Sequence, residues 1–321
     1  PDGSAIVGPS LEEYVTDASM ATGTLTFPAA TFDKGQASLT VRVRYDDVPT
    51  PLAESEWEYV SERSIRLLPV GTGFTAGRLY EFTYPAKDPA VAGIGFAAIR
   101  DVAAFLRSEA GGDPDGGPLA GEVRSIYTFC YSLPCRAMND WVQLGFNEGE
   151  GGGRVLDGVL NWAGGASGIF LNHRFAWPTR THRQHIGRWY PELQFPFAPQ
   201  VLHDPVTGST DGRLRRCLET GTCPKILALN SENEYWAKNM ALWHTDTLGI
   251  DLPDAPGVRT YLLSSVAHTG PVGPTGKGMC QQERNSLVAN PVLRALLVAL
   301  DVSVENAELE AQGHLDGIAR Y

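Results

Sequence analysis

The sequence predicts an α/β fold, in which a mostly parallel sheet is flanked by helices and preceded by a β-rich region. The first observation is a strand-type segment, Ser125–Tyr131, that ends at Ser132 and is followed at once by a helical pattern. The second is that two further strand-type segments, 224–230 and 258–266, also end in polar residues. The third is that residues 1–86 carry strand patterns with short connections, which favours antiparallel pairing there.

Length and charge narrow the class of protein. A chain of 321 residues and 34.7 kDa can bury one large core or two modest ones. Its net charge of −11 and pI of about 5.1, without a long basic run, argue against nucleic acids and anionic membranes as partners. The longest apolar run, Val292–Leu300, is interrupted by Arg294 and is too short to span a bilayer, so we expect no membrane-spanning segment.

Two regions divide the chain. Residues 1–86 carry an alternating strand pattern at Leu39–Tyr45 and further strand patterns at Trp57–Leu68 and Arg78–Tyr84. Pro- and Gly-containing turns join them, and we interpret these residues as a β-rich N-terminal region. Residues 87–321 open with an amphipathic helical pattern at 90–106, then alternate strands with helices, and end in an amphipathic helical pattern at Pro291–Asp301. This succession predicts the α/β core. Within this core, about residues 170–222 form an irregular segment rich in Trp, His, Arg and Pro, which we interpret as an inserted cap over the site.

The turn at Ser132 is typical of a nucleophile elbow, the sharp strand-to-helix turn that lifts a serine hydroxyl above a sheet. The N–H of Leu133 and the helix N-terminus would point at the same spot, so Leu133 is the expected oxyanion-hole donor. The small residues usual two positions before and after the serine are replaced by Cys130 and Pro134. Cys is small, and Pro suits the first turn of a helix. The alternative is that Ser132 simply caps the helix.

Three strand ends carry the residues of a candidate catalytic triad: Ser132, an acid within 232–234, and His268. A serine hydroxyl is a weak nucleophile until a base takes its proton, and an imidazole can then return that proton to the leaving group. A carboxylate orients the imidazole and stabilises its charged form. The chain order Ser, acid, His is that of α/β-hydrolases, so we expect an α/β-hydrolase fold. The structural alternatives are Glu234 as a first-turn helix acid and His268 as a loop histidine.

Five further motifs point to a known family. They are Y-P-A-K-D-P-A-V-A-G-I-G-F-A-A-I-R-D from Tyr84, L-G-F-N ending at Asn147, N-H-R-F-A from Asn172, E-Y-W at Glu234–Trp236 and H-T-D at His244–Asp246. Together, over about residues 35–300, they resemble the bacterial alpha/beta-hydrolase-domain family of secreted serine esterases. The resemblance implies Ser132 as nucleophile, Glu234 as acid and His268 as base.

The chain departs from that family in two places. The family's serine turn usually reads G-x-S-Q-S-G-R, whereas Cys130–Arg136 keeps the first Ser and the Arg but neither glycine, the Gln nor the second Ser. The family also has a further N-terminal portion with early sheet strands and a loop that gives the second oxyanion donor. The first 85 residues offer no crossover helix, so the Ser132 strand is expected to lack parallel neighbours on one side. We therefore expect an N-terminal companion chain or fragment that completes the sheet.

The positions of the five cysteines indicate the redox state of the cellular compartment. Cys217 and Cys223 flank a short loop that suits a local disulfide. Cys130 and Cys135 flank the serine turn and are either paired or buried thiols, and Cys280 is left over. This usage favours an oxidising compartment, so we expect a secreted or periplasmic protein.

Neither a metal nor a cofactor is expected. His182 and His185 in the cap could bind a metal, but no third ligand lies near them in the sequence. The Gly-rich segments 93–98 and 273–278 lack the context of a dinucleotide-binding fingerprint and the spacing of a phosphate-binding loop, respectively.

The expected function is hydrolysis of a small-molecule carboxylic ester through an acyl-enzyme, by a serine esterase. The aromatic- and Arg-rich cap suggests a substrate with an apolar or aromatic part and an acidic group. The candidate substrate-binding residues are Tyr131, Arg136, His173, Trp177 and Trp236. Two alternatives stay open: a non-catalytic binding protein on a hydrolase scaffold, favoured by the altered serine turn, and an amidase or acyltransferase with the same triad.

Overall fold

The computed structural model describes residues 3–107, 119, 121–175, 193–268, 276–277, 281–283 and 285–311. The chain divides into two compact units. The first is Pro1–Gly93 with Phe170–Pro191, and the second is Ile94–Ile169 with Glu192–Tyr321. Four residues singled out in the sequence lie outside the described residues, namely Trp177, His182, His185 and Cys280.

The first unit consists of antiparallel strands, which confirms the expectation from its short connections. Its strands are β1 (Val7–Val15), β2 (Gly23–Thr24), β3 (Ser38–Arg42), β4 (Thr50–Leu52), β5 (Trp57–Ser61), β6 (Ser64–Leu67) and β7 (Leu79–Lys87), and its 3-10 helices are Lys34–Gln36 and Glu54–Glu56. One sheet has the order β1-β7-β3-β4 and the other β2-β6-β5. Along β7, the side chains of Tyr80, Phe82, Tyr84 and Ala86 are buried in alternation, as the two-residue period of a strand requires.

One predicted strand of this unit is wrong. The segment Trp57–Leu68 was expected as a single strand, but β5 folds back on β6 as a hairpin. The hydroxyl of Ser61 accepts from the N–H of Arg63 at 3.1 Å and bonds the hydroxyl of Ser64 at 2.8 Å. Such local side-chain hydrogen bonds stabilise turns, and they explain a chain reversal where the sequence has neither Gly nor Pro.

The second unit alternates helices and strands. It contains α1 (Ile94–Arg107), β8 (Tyr127–Tyr131), α2 (Leu133–Gln143), β9 (Gly158–Trp162), β10 (Leu202–His203), β11 (Thr210–Asp211), α3 (Arg215–Thr220), β12 (Lys225–Ser231), α4 (Glu232–Ala237), a 3-10 helix (Met240–Trp243), β13 (Val258–Leu263) and α5 (Asn290–Ala311). The short strands β10 and β11 form an antiparallel pair inside the segment expected as a cap.

A parallel four-stranded sheet of order β13-β12-β9-β8 lies at the centre of this unit, and it confirms the α/β class. All five residues of β9 are buried, in keeping with a central parallel strand covered on both faces. Within the described residues, β8 pairs with β9 alone, and its Phe129 is 54% exposed. Because the strands are parallel, the segments that follow β8, β12 and β13 leave the sheet at the same edge.

Helices cover this sheet. From α5, Leu296 and Leu300 pack against Leu160 of β9 and Leu229 of β12. The indole of Trp141 in α2 is fully buried and donates to the carbonyl oxygen of Phe96 in α1 at 3.0 Å, so the two helices are tied together. In the described part of the chain, no helix combines the length and the apolar character needed to cross a bilayer.

Candidate active site

Ser132 lies between the end of β8 and the start of α2 and has φ 61° and ψ −124°. A positive φ is uncommon for a residue with a Cβ and costs about 1–3 kcal/mol, which the surrounding structure must supply. The N–H of Ser132 donates to the carbonyl of Trp162 at 2.9 Å, and the N–H of Cys135 donates to the carbonyl of Ser132 at 2.9 Å. Ser132 occupies the N-cap position of α2, yet its hydroxyl makes no capping hydrogen bond. The side chain is therefore available to another partner.

That partner is His268. Its Nε2 lies 2.8 Å from the hydroxyl oxygen of Ser132, across 136 residues of sequence. Its Nδ1 lies 2.5 Å from Oε1 of Glu234. With the proton on Nδ1, His268 donates to the carboxylate and accepts from the serine hydroxyl. The structure thus brings the three residues into one hydrogen-bonded chain.

Glu234 is fully buried, and both of its oxygens have partners. One oxygen, Oε2, accepts from the hydroxyl of Ser231 at 2.5 Å and from the N–H of the same residue at 2.9 Å, completing the capping box of α4. The other, Oε1, accepts from Asn233 Nδ2 at 2.9 Å and faces His268. The Ser-x-x-Glu spacing was visible in the sequence as a capping signal, and it selects Glu234 over Glu232, whose side chain bonds the exposed Ser264 hydroxyl.

The electrostatics keep this carboxyl ionised. Burial raises the pKa of Glu234, but hydrogen bonds from His268, Asn233 and Ser231 outweigh burial and leave the pKa below its ordinary value. Burial in turn lowers the pKa of the nearby Arg136 guanidinium, and the negative charge of Glu234 opposes that change. A carboxylate that stays charged can stabilise an imidazolium formed on His268.

Leu133, the expected oxyanion donor, is the first residue of α2. The N–H groups of the first helical turn have no partner within the helix, and the helix dipole places positive potential there. Pro134, which has no N–H, is the second residue of α2, so it leaves the Leu133 donor in place. Its role toward an oxyanion remains a prediction.

A disulfide spans the serine turn. The sequence alone had left open whether its two cysteines are paired or are buried thiols. Cys130 at the end of β8 and Cys135 in the first turn of α2 are bonded, with an S–S distance of 2.14 Å and Cα atoms 4.9 Å apart. A Cβ on Gly164, in the turn after β9, would lie 2.6 Å from the Cβ of Cys135. The glycine is therefore required for the close approach of that turn to the disulfide. Cys217 and Cys223 form the second disulfide, with Cα atoms 4.7 Å apart.

The five predicted substrate-binding residues have different environments. Tyr131 is half-buried and contacts His268, whereas Arg136 is only 6% exposed. Trp236, which lies two residues after Glu234, is 83% exposed. His173 is exposed in the first unit, where its Nδ1 lies 3.1 Å from the carbonyl of Arg174. Trp177 is not described, and substrate binding by these residues remains a prediction.

Among the residues that the structure describes, no group of three His, Cys, Asp or Glu side chains could hold a metal ion.

Comparison with known proteins gives one family. Residues 18–312 match the family described as "Alpha/beta hydrolase domain". No curated protein and no solved structure matches the chain.

Proposed function

Because the chain belongs to the alpha/beta hydrolase domain family, we propose that it is a serine hydrolase that cleaves a carboxylic ester through an acyl-enzyme. The observation that carries the proposal is the chain of hydrogen bonds from Ser132 through His268 to Glu234, at 2.8 and 2.5 Å. Separations of this length meet the geometric requirement for a nucleophile, its general base and the residue that orients the base.

Acylation uses the three residues in that order. As the Ser132 oxygen attacks the ester carbonyl carbon, its proton passes to Nε2 of His268. Glu234 holds the Nδ1 proton and stabilises the imidazolium. The carbonyl oxygen becomes an oxyanion beside the Leu133 N–H at the head of α2. The tetrahedral intermediate collapses, His268 gives its proton to the leaving alcohol, and Ser132 remains acylated.

Deacylation repeats the sequence with water. His268 takes a proton from the water as its oxygen attacks the acyl carbon, and the acid product leaves when Ser132 recovers a proton from Nε2. All proton transfers pass through one imidazole, so no cofactor is required. The aromatic and cationic residues predicted to bind substrate favour an ester with an apolar or aromatic part and an acidic group.

The reaction class is tested with matched substrates. We expect the protein to hydrolyse aryl and alkyl esters, and Ser132→Ala to reduce kcat about 10³-fold or more. Corresponding amides, and esters with an added acceptor alcohol, separate an esterase from an amidase or an acyltransferase with the same triad. Binding of esters without turnover by the folded wild-type protein would instead favour a non-catalytic protein on a hydrolase scaffold.

An oxidising compartment is part of the proposal. The disulfides Cys130–Cys135 and Cys217–Cys223 favour a secreted or periplasmic location, because cytosolic thiols are kept reduced. Fractionation of the source cells, followed by detection of the protein outside the cytosol, tests this location.

We further propose that a companion segment pairs with the side of β8 opposite β9. The support is that, in the part of the chain that the structure describes, β8 pairs on one side and exposes Phe129. An unpaired strand edge offers N–H and C=O groups to a further strand. Native mass spectrometry of the protein from its source should find a second polypeptide or additional chain length. An intact mass of this chain alone, with full activity, would contradict it.

A further inference from the structure

Tyr131, the last residue of β8, lies beside both residues of the proposed proton transfer, Ser132 and His268. It precedes Ser132 in the chain, and its ring stacks on the ring of His268 with centroids 5.3 Å apart and planes 26° from parallel. Its hydroxyl donates to the carbonyl oxygen of His268 at 2.8 Å. One side chain thus holds the backbone of His268 and also the plane of its imidazole.

Tyr131 is itself held by the sheet. On the end of the neighbouring strand β9, Trp162 is only 5% exposed and lies nearly parallel to the Tyr131 ring, with centroids 6.5 Å apart and planes 12° from parallel. The carbonyl of Trp162 also accepts from the N–H of Ser132 at 2.9 Å. Trp162 therefore fixes the serine through its backbone and the histidine through the Tyr131 ring.

The segment that carries His268 makes this support necessary. His268 lies five residues beyond the end of β13, and Ser264, Ser265 and Ala267 before it are exposed. The buried Val266 side chain anchors the segment in the core beside the sheet, but it does not orient the imidazole. The contacts from Tyr131 and Glu234 do so.

We propose that Tyr131 is a positioning residue that holds His268 at hydrogen-bonding distance from Ser132, an inference that rests on the proposed function. Its hydroxyl is engaged by the His268 carbonyl, so the residue acts through the base rather than on the substrate. Burial, followed by the charge of Glu234, raises the pKa of the Tyr131 phenol, so the hydroxyl stays protonated and remains a donor.

Two variants separate the contacts. Tyr131→Phe keeps the ring stack and removes the hydrogen bond, and we expect kcat to fall about 3- to 10-fold, the range of one hydrogen bond. Tyr131→Leu removes both contacts, and we expect a fall of about 100-fold, since a small displacement of a catalytic group has that effect. KM should change little in Tyr131→Phe, because the Tyr131 hydroxyl already donates to the His268 carbonyl.

The matched control is Tyr127→Phe, which removes a phenol hydroxyl from the same strand, four residues before Tyr131, and should leave kcat unchanged. Every rate is divided by the concentration of active sites, titrated with a fluorophosphonate, so that partly folded protein does not lower the apparent kcat. Melting temperatures of all variants identify any that fail to fold, and Tyr131→Phe keeps the test decisive if Tyr131→Leu is among them.

The outcomes are distinct. A loss in kcat per active site that exceeds any rise in KM supports the proposal. A Tyr131→Phe enzyme with wild-type kcat overturns it, as does a rise in KM at unchanged kcat, which would assign Tyr131 to substrate binding. Ester hydrolysis that survives in Ser132→Ala would overturn the proposed function itself, a result independent of the Tyr131 variants.

Discussion

Cys130 and Cys135 are joined by a disulfide that spans Ser132, two residues after the first cysteine and three before the second. It connects the end of β8 to the first turn of α2, the two elements between which Ser132 adopts its positive φ. The bond therefore closes the chain around the strained residue. Cys130 and Cys135 stand at the two positions where the serine turn of the resembled family usually has glycine, and the bond between them adds a covalent constraint to the turn.

The double variant Cys130→Ala/Cys135→Ala tests that constraint. Without the bond, the turn can relax to an unstrained conformation that is favoured by about 1–3 kcal/mol, so we expect kcat/KM to fall about 5- to 150-fold. Ester hydrolysis per titrated active site measures the effect.

The second disulfide supplies the control. Cys217 and Cys223 are separated by 6 residues, against 5 for the first pair. By loop length alone, each bond should stabilise the protein by about 2 kcal/mol. Cys217→Ala/Cys223→Ala should therefore lose similar stability while keeping kcat/KM near the wild-type value. Equal losses of activity in the two double variants would contradict a role of the disulfide at Ser132.

Glu234→Gln tests the proposed acid. The substitution keeps the shape of the side chain but removes the charge that holds the Nδ1 proton of His268, and we expect kcat to fall about 10³- to 10⁴-fold. Glu232→Gln is the matched control on the same helix turn, because its carboxylate bonds the exposed Ser264, and it should stay within about two-fold of wild type. If kcat fell less in Glu234→Gln than in Glu232→Gln, the assignment of Glu234 as the catalytic acid would be wrong.

The lowered pKa of Glu234 predicts a dependence of stability on pH. The pKa of Glu234 in the folded protein lies below the ordinary value of 4.5. The stabilisation that its ionised carboxylate gives to the fold is therefore fully present above pH 4.5. The stabilisation is lost as the pH falls through the lower native pKa, where the group becomes protonated. The free energy of unfolding of the wild type, relative to Glu234→Gln, should therefore decrease on acidification. Urea denaturation over a pH series measures it, and a constant difference would contradict the pKa direction.

A buried ion pair in the second unit predicts a large effect on stability. Arg213 donates to Asp140 at 2.8 Å, and their side chains are 2% and 5% exposed. The same guanidinium donates to the carbonyl of Ala166 at 2.9 Å, in the turn after β9. Arg213→Met leaves the Asp140 charge buried without this partner, and we expect a loss of about 3–5 kcal/mol in unfolding free energy.

Arg215→Met is the control for that loss. Arg215 lies two residues later and pairs with Asp211 and Glu219, but its side chain is 35% exposed, so its ion pairs should contribute about 0–1 kcal/mol. Chemical denaturation compares the two variants. Similar destabilisation by both would show that burial of the Arg213–Asp140 pair has little energetic consequence.

The sequence predicted the parallel strands well, because each strand end is marked locally. Aromatic and β-branched runs end at Ser132, at the capping segment before Glu234, and near His268. Parallel strands place such ends at one edge of the sheet, so the proximity of the three residues followed from topology without any side-chain geometry.

The contacts that depend on distant partners could not be predicted in this way. Tyr131 meets the His268 carbonyl across 137 residues and Arg213 meets Asp140 across 73, and no local pattern records either pairing. The ends of elements also shifted: β13 stops at Leu263 rather than at 266, and α5 continues to Ala311 rather than ending at 301. Propensity changes little at such ends, and packing of the last turn or strand residue decides where they fall.

The central claim is that Ser132 is an activated nucleophile, and fluorophosphonate labelling of the native protein with peptide mapping tests it most directly. A phosphonyl adduct on the peptide that contains Ser132, absent in Ser132→Ala and formed much more slowly in Glu234→Gln, is the predicted result. An adduct on another serine, or none on a folded protein that still hydrolyses esters, would contradict it.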